Sequence, residues 1–320
     1  MNLSIAGTYG ANRTLSGITC GIGAGALWGL VFLAPELARD YAPLELAIGR
    51  YLAYGAISAM LIGPRWSVLA AGLSRRDWLS LAWLALAGNT LYYILLSTAV
   101  QTGGIAMTSL VIGFLPVAVT IIGSRDHGAV PLHLLAPSLA LCAAGALCIG
   151  WQAVAMPGAG GAQLTGLLCA IGALASWTAF AVGNSRCLAR LGQVSAHDWN
   201  LLTGIVTGAQ SIALIPIAAA LAPAGHDTAA WLRFVGLSIG VALFASILGN
   251  ALWNRMSRLL PLTMVGQMIL FETLFALIYG FIWEGRLPRF LEIAAFALVV
   301  TSVFSCISVH RRHGSVSGGH

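Results

Sequence analysis

The sequence predicts an all-α integral membrane protein, with ten transmembrane helices arranged as two inverted five-helix repeats. Three observations predict it. Of 320 residues, 58% are hydrophobic and only 8% are charged, with a mean hydropathy of +0.87; soluble domains run near about 45–50% and about 25%. Apolar runs long enough to cross a bilayer, about 20 residues each, recur along the whole chain. The first and sixth of these runs match one another at a fixed offset.

The same composition excludes other classes. A soluble fold of this length could not cover its surface with so few charged side chains. The chain is basic, with a pI near 9.3, but its arginines form no dense patch, so no nucleic-acid partner is expected. The six cysteines contain no C-x-x-C pair, which removes zinc-ligand and redox spacing. No metal and no cofactor are expected.

The spans follow in order. Leu15–Ala34 carries a ladder of small residues at Gly17, Gly21, Gly25 and Gly29, spaced so that another backbone can approach closely. Pro43–Gly63 opens on a proline and closes on Gly63-Pro64. Asp77–Thr98 carries a polar stripe of Asn89, Tyr93 and Ser97, continued by Gln101 at spacing four, which is one helix face. Gly103–Gly123 and Pro131–Gly150 complete the first five, and the breaker Met156 to Gly161 follows. Leu164–Asn184 and Asp198–Leu221 come next, the latter ended by Ala222-Pro223-Ala224-Gly225. Trp231–Asn254 carries a second stripe of Ser246, Asn250 and Asn254, continued by Arg258. Leu260–Trp283 holds Glu272, and Arg289–Val309 follows Leu287-Pro288. The runs are apolar on all sides and too long for barrel strands, which need about 10 alternating residues. The connections leave no room for an extramembrane catalytic domain.

Arginine placement sets the orientation. With the N-terminus in the cytoplasm, eleven of the sixteen arginines fall inside, as the positive-inside rule requires. Both termini are expected to be cytoplasmic, in a bacterial inner membrane.

Gly17 to Trp28 aligns with Gly166 to Trp177 at an offset of 149, sharing a cysteine (Cys20, Cys169) and a tryptophan (Trp28, Trp177). The stripes of spans three and eight coincide at an offset of 157. A shorter match, Gly88-Asn89 with Gly249-Asn250, is displaced by one turn, and the longer stripe is preferred. Residues 15–155 and 164–310 then form the two repeats. Five is odd, so the second repeat enters the membrane from the opposite side. Inverted repeats of this kind recur in secondary transporters, where one half rocks against the other around a midplane site.

The arrangement resembles the drug/metabolite transporter superfamily, EamA type, over about residues 15–310. The resemblance rests on Gly23 to Gly29 with Trp28, on Pro43 and Arg50 in span two, on Ser109 to Val117 with Pro116, and on Ala251-Leu-Trp253-Asn254. It also rests on Gln267 to Thr273 with Glu272. Within the superfamily these segments look most like the bacterial aromatic amino acid exporter group. Thr273 departs from the proline that the superfamily often has there. The resemblance implies export of amino acids, aromatic and other uncharged ones with broad specificity, across the inner membrane by alternating access. Export of other small metabolites or drugs is the alternative. An intramembrane lipid enzyme is a weaker one, since no clustered His/Asp/Glu or Ser/His set is visible. No G-x-x-x-x-G-K-[ST] motif is present to engage ATP.

The candidate substrate-binding residues are Trp28, Asn89, Tyr92, Tyr93, Trp177, Asn250, Trp253, Asn254, Gln267 and Glu272. Trp28 and Trp177 lie about 13 residues into their spans, deeper than the headgroup belt. They are read as a cavity wall or as core packing. The asparagines and tyrosines must face protein or water at membrane depth, either as interhelical bonds or as donors and acceptors for a zwitterionic substrate. Glu272 is the carboxylate nearest mid-span, a candidate carrier for a coupling proton or a neutral acid held by Gln267. Arg50 is expected to snorkel or to pair with Glu45 or Glu36.

Overall fold

A computed structural model describes residues 2–125, 130–154, 161–221, 226–285, 287–288 and 290–317. Parts of the breaker segments at 156–161 and 222–225, and Arg286 and Arg289, lie outside the described residues.

The described residues are helical throughout, without strands. In chain order the helices are α1 (Asn2–Leu37), α2 (Pro43–Ile62), α3 (Trp66–Ala71), α4 (Arg75–Ala85), α5 (Leu91–Ile112), α6 (Leu115–Gly123) and α7 (Leu132–Val154). They continue as α8 (Gly161–Arg190), α9 (Ala196–Leu221), α10 (Thr228–Val241), α11 (Asn250–Leu259), α12 (Leu262–Met268), α13 (Leu270–Glu284) and α14 (Phe290–Ser317).

Eight helical stretches among the described residues are long and apolar enough to cross a membrane: Arg13–Leu37, Pro43–Ala71, Arg75–Ile105, Ala162–Arg190, Ala196–Leu221, Thr228–Leu259, Met264–Trp283 and Ile293–His310. The expected fourth span is interrupted by breaks in its helix, whereas the fifth is covered by the 23-residue helix α7. The third and fourth meet without a loop at Gly104, whose φ of +82° breaks the helix inside α5; glycine takes that conformation at little cost. The fourth is broken again after Ile112, where Pro116 sits in the first turn of α6. The apolar stretch Leu132–Gly145 lies within α7.

Helix pairs build the bundle. α1 packs on α13 and α11, α5 on α8, α2 on α9, and α7 on α14. Each pair joins a helix from before residue 155 with one from after residue 160. The glycine ladder of α1 is the seam against α11, α12 and α13. A Cβ added at Gly25 would lie 2.8 Å from the backbone nitrogen of Glu272, so the small residue there sets how near α13 and its carboxylate come.

Two helix starts use the same device at one end of the bundle. Ser74 and Asp77 cap α4 reciprocally, and Ser195 and Asp198 are bonded in the same way at the start of α9. Each aspartate also receives an arginine from another helix end. Arg190 Nη2 lies 2.7 Å from Asp77, and Arg65 Nη1 lies 2.8 Å from Asp198. At the opposite end Arg233 pairs with Asp40, and Tyr41 stacks between Phe234 and His226.

Candidate functional site

The third and eighth expected spans are not uniform α-helix at mid-depth. Leu86–Thr90 and Ala242–Gly249 are wound as π-helix, a form that concentrates at functional sites because it loosens the regular carbonyl ladder. Both segments turn a carbonyl toward a neighbouring helix. Ala87 O accepts from Ser176 Oγ at 2.7 Å, and Ala245 O accepts from Trp28 Nε1 at 3.0 Å.

Around these segments the tryptophans gather. Trp28 and Trp177 stand edge to face with centroids 5.5 Å apart, and Trp253 closes the triangle at 5.0 Å from Trp28 and 5.1 Å from Trp177. Phe180 and Tyr92 flank Trp177 at 5.6 and 6.2 Å. Such contacts fix ring orientation beyond simple burial. Glycine is needed where the rings meet the π-helices. A Cβ on Gly88 would lie 2.2 Å from the Phe180 ring, and one on Gly249 would lie 2.7 Å from Trp28 Nε1.

The rings enclose a cavity lined by Trp28, Val31, Arg50, Gly88, Asn89, Tyr92, Trp177, Phe180, Asn250 and Glu272. It leaves about 20 Å³ open to the centre of a water molecule, room for a water and far too little for an amino acid. A larger, open vestibule of about 570 Å³ lies at the end of the bundle that carries the two Ser-Asp caps, lined by Arg13, Arg186, Arg258, Ser257 and Pro261 among others. α11 connects the two spaces, with Asn250 on the cavity and Ser257 and Arg258 on the vestibule.

Two ionisable side chains of opposite sign face the cavity. Arg50 is 5% exposed and Glu272 is 3% exposed. Arg50 Nε donates to Ser246 Oγ at 3.0 Å, and its guanidinium lies 4.4 Å from the Tyr93 ring centroid and 5.0 Å from that of Tyr51. Those contacts lock the plane of the guanidinium inside the bundle, where an unpaired charge is costly.

Of the ten expected site residues, Trp28, Asn89, Tyr92, Trp177, Asn250 and Glu272 line the cavity. Trp253 backs the wall through the two other tryptophans, and Tyr93 supports Arg50 rather than facing the cavity. Asn254 does not reach it. Its Oδ1 accepts from Asn184 Nδ2 at 2.9 Å, and Asn184 in turn accepts from Trp199 Nε1 at 2.8 Å, so Asn254 is part of an interhelical network. Gln267 does not hold Glu272 either. It bonds Thr120 and accepts from Ser302 Oγ at 3.3 Å, on the side of α12 turned to α6 and α14. Of the shorter match, Gly88, Asn89 and Asn250 line the cavity and Gly249 abuts Trp28.

Arg50 is the residue whose role the sequence reading misplaced. Neither expected partner is available: Glu45 caps α2 through the Ala42 nitrogen at 2.8 Å, and Glu36 pairs with Arg39 at 2.7 Å. Arg50 lies two turns into α2, about 10 Å along its axis, too deep for either. Its depth was the available signal. Val31 and Phe180 carried none, and Gly88 appeared only through its match with Gly249.

A model of the EamA-like transporter family matches residues 15–151. Inner membrane protein YtfF of Escherichia coli (strain K12) is 30% identical over 304 residues, a match that covers 90% of this chain and 94% of YtfF. One solved crystal structure aligns with a TM-score of 0.68 over 94% of this chain and 99% of its own, at 19% identity, a likeness of fold alone.

Proposed function

We propose a transport function carried out at the central cavity by this chain, which belongs to the EamA-like transporter family of the drug/metabolite transporter superfamily. Its cargo in this reading is the amino acids with aromatic and other uncharged side chains. They are exported across the inner membrane by alternating access, as in the aromatic amino acid exporter group. Residues 15–155 and 164–310 act as two five-helix repeats of opposite topology, ten spans in all, with both termini in the cytoplasm.

The observation that carries the reading is the make-up of the cavity wall. An aromatic surface from Trp28, Trp177 and Phe180 faces Asn89, Asn250, Arg50 and Glu272, and the lining comes from both sides of residue 155. An aromatic wall accepts an apolar side chain while polar groups hold a backbone. The paired π-helices support the repeat, since each lies at the cavity and each offers a carbonyl to a first-in-half helix, α1 or α8. The small volume supports an occluded conformation, so access requires the halves to part on one side at a time.

The test is counterflow in proteoliposomes. Vesicles preloaded with unlabelled phenylalanine should accumulate labelled phenylalanine, methionine and threonine transiently above empty-vesicle levels, and labelled arginine or glutamate should not accumulate. No accumulation of any amino acid by folded protein would overturn the reading and favour another metabolite class.

A further inference from the structure

Arg50 and Glu272 present an imbalance that the fold does not resolve. Arg50 Nη1 and Glu272 Oε2 are both buried without a hydrogen-bond partner, and no ion pair joins the two groups. The Tyr92 hydroxyl on the same cavity is also unpartnered. Buried charges normally pair, because leaving one unpaired costs more than an exposed pair gains. Here a guanidinium and a carboxyl group share one cavity, each with a buried atom that no hydrogen bond satisfies.

We infer that Arg50 and Glu272 are the two ends of a clamp for a single ligand that bears a carboxylate and an ammonium, with Arg50 taking the carboxylate and Glu272 the ammonium. The inference rests on the transport reading of this cavity and assigns the groups that decide its substrate. Charge balance excludes the simpler ligands. A monoanion would satisfy Arg50 and repel Glu272, a monocation would do the reverse, and an uncharged ligand would leave both unsatisfied. A zwitterion laid between them completes four charges in a neutral set. A guanidinium held in one plane by Ser246 and Tyr93 suits the two-point geometry of a carboxylate. No third charged group lines the cavity, so the remaining part of the ligand is uncharged and lies on the tryptophan wall. Asn89 and Asn250 then help orient the ligand and do not supply its principal contacts.

The experiment is competition against labelled phenylalanine uptake in proteoliposomes, using phenylalanine, phenylalaninamide (no carboxylate) and N-acetylphenylalanine (no ammonium). Wild type should prefer phenylalanine over each analogue by at least about tenfold, the penalty expected when a polar site loses its partner. Arg50→Gln should lose the preference over phenylalaninamide and keep the preference over N-acetylphenylalanine. Glu272→Gln should show the opposite pattern. Arg50→Lys and Glu272→Asp keep the charges and should keep the direction of both preferences, with the preference over phenylalaninamide reduced in Arg50→Lys because lysine lacks the two-point fork; this covers the case in which the neutral variants fail to fold. Wild type that carries phenylalanine yet accepts both analogues equally well overturns the clamp alone, as does equal loss of both preferences in either variant. Wild type that carries no amino acid overturns the clamp together with the transport reading.

Discussion

At the scale of single residues, the account turns on side chains held at membrane depth by other side chains. Trp177 touches Trp28, Trp253, Tyr92 and Phe180, so it is both wall and keystone. Trp177→Ala should lower phenylalanine transport by about tenfold and threonine transport by less than about threefold, because the lost aromatic contact is worth on the order of 1 kcal/mol for a ring and little for a small side chain. Initial rates of labelled uptake for the two substrates check this. Asn250→Ala should weaken both substrates alike, whereas Asn254→Ala should lower thermal stability through its Asn184 partner and leave relative substrate preference unchanged. Glu272 also remains the candidate carrier of a coupling proton. An imposed pH gradient should accelerate wild-type transport and leave Glu272→Gln unaffected, and a gradient effect that survives in the variant contradicts that role. The residue types at the site were legible in the sequence because tryptophan, asparagine and glutamate are rare within apolar spans. Their partners were not. Asn254 and Gln267 read as site residues by type, yet contacts from Asn184, Thr120 and Ser302 on distant helices claim them, and Arg50 read as an interfacial anchor because its neighbours Ser246 and Tyr93 lie far away in sequence.

At the scale of elements, glycine decides how close helices come. The ladder on α1 read as packing from spacing alone, and the seam against α13 bears this out at Gly25. Gly25→Leu should displace α13 and with it Glu272. The expected cost is about 1–3 kcal/mol of overpacking, seen as a lower melting temperature in detergent together with lost transport, while Gly236→Ala, where nothing lies within 4 Å of an added Cβ, should change neither. The π-helices were invisible to pattern reading, since a single inserted residue shifts the hydrophobic phase without breaking it. The expected boundary between the third and fourth spans, after Thr98 and before Gly103, lies beside the corner at Gly104.

At the scale of the whole molecule, two ion pairs tie helix ends across the bundle at the vestibule end, Arg190 with Asp77 and Arg65 with Asp198. Their arginines are 40% and 50% exposed, so each is worth about 0–1 kcal/mol, little for stability and enough to bias two conformations. The double variant Arg65→Ala, Arg190→Ala should therefore melt within a few degrees of wild type yet favour opening at that end. The same end should prove cytoplasmic. Reporter fusions at Arg75 should read as cytoplasmic and fusions at Asp40 as periplasmic, with the reverse result inverting the topology.

The central claim is that substrate passes through the cavity between α1, α2, α5, α8, α11 and α13, opened to one side at a time. Its most direct measurement is labelling of a single cysteine introduced as Asn250→Cys in a variant whose six native cysteines are replaced, in membranes of defined orientation. A membrane-impermeant maleimide should react from either face when applied alone, and saturating phenylalanine should slow both reactions by about tenfold or more, as expected when the occupied site is shielded. Labelling that proceeds from neither face while transport persists, or that phenylalanine leaves unchanged, would show that the substrate takes another route.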